Sequence, residues 1–122
     1  MKKTLLFAAA AALVLIALPN IGTAEHHEGS WTGEVVDLAC YVAQGAMGED
    51  HAGCAQACVK NGQPMGLLTD DGTLVLLAAD HKDGAPYASL KEMAGQKASV
   101  SGALHERDGM KVVTVTGAEA AG

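Results

Sequence analysis

Aromatic residues are scarce in this chain of 122 residues, which holds one Trp, two Tyr and one Phe. Any core must therefore be built from Val, Leu, Met and Ala, and a small core of that kind is marginal without a staple from a disulfide or a metal. Basic side chains are also few, with eight Lys and Arg against fourteen Asp and Glu. Phosphate-backbone binding depends on clustered Lys and Arg, so nucleic acid is excluded as a partner. Long apolar runs are missing too. The longest, Leu5–Leu18, has fourteen residues, short of the about 20 that a membrane-crossing helix requires. Cysteine occurs three times, at Cys40, Cys54 and Cys58. There is no C-x-x-C pair and no C-x-x-C-H haem attachment sequence, so the usual dithiol redox and c-type haem signatures are absent.

The Leu5–Leu18 run follows Met1-Lys2-Lys3 and precedes Gly22-Thr23-Ala24. A basic start, a short apolar stretch and a small-residue site read as a secretory signal peptide, residues 1–24, cut after Ala24. The expected location is periplasmic or secreted, with no stable membrane span after cleavage. Removing residues 1–24 leaves 98 residues, enough for one domain. Lys2 and Lys3 leave with the signal, so six basic residues face fourteen acidic ones, a formal balance of −8. In an oxidising compartment disulfides persist. Three cysteines then allow one intramolecular bridge with a thiol left over, unless a metal holds all three or the third pairs with a partner protein.

Residues 25–30, EHHEGS, are polar and expected to be flexible, with His26 and His27 just behind the cleavage point. Residues 31–117 form the expected domain. Trp31–Ala39 alternates as a strand that places Cys40 at its exit, and the glycine-interrupted stretch after Tyr41 reads as a loop. A helix follows from near His51, capped by Asp50 and stopped at Asn61-Gly62. Pro64–Leu68 and Thr73–Ala79 flank an Asp-Gly turn, a hairpin signal. Tyr87–Ala94 reads as a short helix, Gln96–His105 and Met110–Thr116 as two more strands, and residues 118–122 as a tail. The predicted class is mainly β. It is a small five-stranded OB-like barrel with a Cys-bearing insertion, residues 40–61, between strands 1 and 2 and a short helix between strands 3 and 4.

The chemistry sits in the insertion. Cys40, His51, Cys54 and Cys58 fall within nineteen residues, and a Cys3His set suits tetrahedral Zn(II), while thiolates also favour Cu(I). On a helix, residues three and four apart share a face, which aligns His51, Cys54 and Cys58. Seven helical residues nevertheless rise about 10 Å, so His51 and Cys58 can share an ion only if His51 lies off the regular helix. Met47 in the loop is a further candidate ligand, and Asp37 an outer-shell acceptor for a ligand, although a strand carboxylate at that place is expected to be exposed. The competing reading is a disulfide from Cys40 to Cys54 or Cys58, tying the insertion to the barrel and contributing about 3 kcal/mol. No catalytic residue set emerges, since a Cys with a nearby His is not by itself a nucleophile–base pair.

The runs GEVVDLAC, HAGCAQACVKNG, GLLTDDGTL and AGQKASVSG resemble an uncharacterised family of small exported bacterial proteins with the pattern Asp-x2-Cys, a loop, then His-x2-Cys-x3-Cys. The likeness spans residues 33–115 and falls on Asp37, Cys40, His51, Cys54 and Cys58. It implies an exported β-domain in which those five residues act as a unit, and it implies no activity. The sequence thus leads to an expected exported protein that binds Zn or Cu in a structural or metal-handling role. The alternatives are a disulfide-stapled binding module for another periplasmic protein or a saccharide, and a thiol redox protein.

Overall fold

The computed structural model describes residues 25–122, so the signal segment 1–24 lies outside the described residues. Five strands, β1 (Glu25–Asp37), β2 (Met65–Thr69), β3 (Leu74–Ala79), β4 (Lys97–Arg107) and β5 (Met110–Ala120), close into a barrel in the order β1-β2-β3-β5-β4. All neighbours are antiparallel except β3 and β5, which run parallel. The connection that makes them parallel carries α3 (Ala85–Leu90) and a 3-10 turn (Lys91–Met93). This is the OB-like arrangement expected from the order of elements. Closure gives every strand a neighbour on both sides over part of its length, which suits a chain with little aromatic bulk.

The core is small and aliphatic. Val35, Met65, Leu67, Val75, Leu77, Leu90, Val100, Val113 and Val115 are buried, with Trp31 and Tyr87 packed against them. In β5, Val113 and Val115 point inward as period-2 alternation requires. Beyond them a register shift opposite Ser101/Gly102 leaves Thr116 unpaired in β5, so that its inward face passes from Val115 to Ala118.

Two end segments differ from expectation. Residues 25–30 are the outer half of β1, paired with β4 from Glu25↔Glu106 to Ser30↔Ser101. Residues 118–120 continue β5 against Ala98–Val100. Backbone pairing across the long β4 holds both, and because side chains 26–30 stay exposed, no apolar alternation marks the segment.

The connection between β1 and β2 holds two helices where one was expected. Cys40 is not at a strand exit, because β1 stops at Asp37 and α1 (Leu38–Gln44) starts at once. Asp37 Oδ1 accepts from the backbone N–H groups of Ala39 (3.0 Å) and Cys40 (3.3 Å), the work of an N-cap. Gly45 ends the helix in the left-handed conformation at φ 69° and donates its N–H to the Tyr41 carbonyl. The second helix, α2 (Glu49–Lys60), begins two residues before the expected start, after Gly48 rather than Asp50, and ends at Asn61 as expected. Its Ala55 and Val59, one turn apart, are buried in the barrel core. Gln56 donates to the Ala94 carbonyl, and Lys60 pairs with Glu92, which docks α2 on the 3-10 turn. Among the described residues no helix is long and apolar enough to cross a membrane.

Gly95 is the point where α2 can come close. Its N–H donates to Val35 (2.7 Å), its φ is +81°, and a Cβ there would run into the backbone of Ala52. Gly95→Ala is expected to cost at least about 2 kcal/mol in urea unfolding, from left-handed strain plus overpacking. Gly53, on the exposed side of the same helix with nothing near its Cβ position, gives the contrast. Gly53→Ala should raise stability by up to about 1 kcal/mol through helix propensity.

Candidate functional site

The cap that starts α1 also builds the site. Asp37 is 1% exposed, although a carboxylate at that place in the strand was expected to be solvent-facing. With Oδ1 committed to the α1 backbone, its second oxygen, Oδ2, is buried and has no hydrogen-bond partner. Cys40 rides on the first turn of α1. Cys58 approaches from α2, whose cysteine stripe (Cys54, Cys58) lies one residue before its core stripe (Ala55, Val59) and so on the adjoining flank of the helix. The donor atoms of Asp37, Cys40 and Cys58 lie within 4.8 Å of one another. Cys54, a turn earlier, is exposed and lies against Cys58.

The electrostatics of the group follow from one carboxylate among sulfurs. The Asp37 carboxylate raises the Cys40 thiol, with partial burial adding to it and contact with Cys58 pulling it back. Desolvation pushes the Cys58 thiol up to about 11, helped by the Asp37 carboxylate and by Cys54. Both thiols sit against the carboxylate closely enough to be held protonated, yet neither has hydrogen-bond geometry to Oδ2. A buried acceptor without a donor is costly. A cation placed among these atoms would satisfy the oxygen and reverse the preference for thiol over thiolate.

Of the expected Cys3His set, Cys40 and Cys58 fall in the group of donors, while His51 and Cys54 stand outside it. His51 lies inside the first turn of α2, so the helical rise of about 10 Å separates it from Cys58 and rules out a shared mononuclear centre. Its Nε2 is buried without a partner, but it is not among the grouped donors. Met47, between α1 and α2, is 48% exposed and also stands outside the group. Asp37, expected as an outer-shell acceptor, instead offers an oxygen directly to the cluster. The signal for it was in the sequence, because an Asp at the end of an apolar strand with a Gly eight residues on reads as N-cap and C-terminal stop of a short helix. Cys40, Cys54 and Cys58 are all free thiols.

A comparison of the chain with protein-family models, with curated proteins and with solved structures finds no match. The fold and site define a small OB-like barrel that carries a carboxylate–thiol cluster at the exit of its first strand.

The raised thiols predict slow chemistry in metal-free, reduced protein. Cys54 should be alkylated first, and the rate at Cys58 should keep rising as pH climbs towards about 11. Asp37→Asn keeps a side-chain cap for α1 but removes the negative charge, so it should speed alkylation of Cys40 and Cys58 at pH 8. Peptide mapping after timed iodoacetamide labelling reads this directly, and unchanged rates in the variant would remove Asp37 as the cause.

Proposed function

We propose that this chain is a binding module for one thiophilic metal ion, held by the Cys40 and Cys58 thiolates and the Asp37 carboxylate, with Cys54 closing the fourth position. The observation that carries the proposal is the free Oδ2 of Asp37, buried beside two sulfurs and without a hydrogen-bond donor. Tetrahedral Zn(II), with Zn–S about 2.3 Å and Zn–O about 2.0 Å, sets such donors about 3.5 to 3.8 Å apart. Small side-chain rotations bring atoms that already lie within 4.8 Å to that spacing. A hard oxygen in the set favours Zn(II) over Cu(I), which prefers sulfur throughout. The raised pKa values of Cys40 and Cys58 argue against either of these two as a redox nucleophile, which needs a lowered one. Cys54 is exposed, which leaves a ligand reachable from solvent and fits metal handling as well as a structural role. The N-terminal segment supports export, and the resemblance to small exported bacterial proteins supports treating these residues as a unit.

The adjacency of Cys40 and Cys58 also favours a second reading, a disulfide between them that ties α1 to α2 and leaves Cys54 free. Elemental analysis and thiol counting on unreduced protein separate the two. The first reading expects about one Zn per chain, with all three thiols slow to react until the protein is denatured and chelated. Asp37→Asn should then weaken Zn binding by at least the roughly tenfold that loss of even an outer-shell partner costs. One reactive thiol, no metal and a Cys40–Cys58 peptide by mass spectrometry would replace the first reading with the second.

A further inference from the structure

A second group of metal-ligating side chains lies at the opposite end of β1, on residues the proposed site does not use. His26 and His105 are direct cross-strand partners in the β1–β4 ladder. Their rings sit 4.7 Å apart between centroids, and Nδ1 of one is 3.4 Å from Nδ1 of the other. Two imidazole nitrogens on one tetrahedral cation, each at about 2.0 to 2.1 Å, stand about 3.3 to 3.4 Å apart. The separation set by the β-ladder is thus the bite of a bis-histidine site. The other side of the His26 ring is also occupied, for Glu28 Oε1 lies 3.3 Å from Nε2. A carboxylate there favours the proton on Nε2 and leaves the Nδ1 lone pair turned towards His105, the carboxylate–histidine arrangement that orients metal ligands. Glu28 is placed for this by strand geometry, since residues two apart share a face of β1. His27, between them, projects to the other face.

We infer that His26 and His105 form a second, surface site for an imidazole-preferring divalent cation, bound through both Nδ1 atoms with Glu28 orienting His26 and water filling the remaining positions. Without the cation the two rings share one proton, His105 Nδ1–H donating to His26 Nδ1. When the cation enters, the His105 proton moves to its own Nε2, so no net proton is released from neutral rings.

Zn(II) is the probe, and long-range 1H–15N correlation of the imidazole nitrogens is the readout. The signal is at nitrogen and is independent of whether the sulfurs hold an ion. On titration with Zn(II), the Nδ1 resonances of His26 and His105 should shift together while His26 Nε2 stays protonated and His105 Nε2 gains the proton that leaves its Nδ1. His26→Ala or His105→Ala should abolish the paired shift. Glu28→Gln should weaken binding roughly tenfold, the usual effect of losing an outer-shell partner. His27→Ala should leave it unchanged. The inference falls if the two Nδ1 resonances stay put or move independently, or if His27→Ala removes the binding.

Discussion

One buried carboxylate governs the arrangement of this molecule. Asp37 is the last residue of β1, paired across to Met65 before the ladder closes with Leu38 donating to the Pro64 carbonyl. An extended chain leaving the barrel there would carry Cys40 away from the inserted helix. Asp37 turns it instead, because its Oδ1 offers acceptors to the first N–H groups of α1 and makes a helix start affordable at once. The same side chain then has nowhere to send its other oxygen except into the space between α1 and α2. Cap and site are two ends of one carboxylate, so the local fold and its chemistry cannot be separated by substitution without care for the cap.

Packing supplies the other half of the site. The barrel is short of bulky side chains, and α2 completes it by burying Ala55 and Val59 among Val35, Leu90 and their neighbours. That burial sets the rotation of the helix about its axis, and the rotation puts Cys54 and Cys58 on the flank that faces α1. Gly95 allows the helix to approach closely. The sulfurs thus meet the carboxylate because an aliphatic core needed covering. Two thiols whose ionisation is opposed thus lie beside a carboxylate oxygen that is outside hydrogen-bond geometry to either.

The two ends of β1 present different ligand chemistry. Sulfur and carboxylate gather at its exit, while imidazoles face each other on an exposed ladder at its entry. Both depend on β1 being long: its polar outer half, Glu25–Ser30, brings His26 into register with a residue 79 positions away.

Strand order, the Asp-Gly hairpin, the helix between β3 and β4 and the inward faces of β5 were legible in the chain, because each is written in local periodicity and turn chemistry, whereas α1 was read as strand end and loop. That Cys54 and Cys58 share a helix face was legible too, since they stand four residues apart. Three things were not. Whether Asp37 is exposed or buried depends on what α2 covers. Whether His51 joins the sulfurs depends on where α2 starts. The pairing of His26 with His105 depends on a ladder whose polar residues carry no alternation. Local sequence specifies which backbone conformations are cheap, and only the closed barrel and the helix packed upon it decide which side chains share a few ångströms of space.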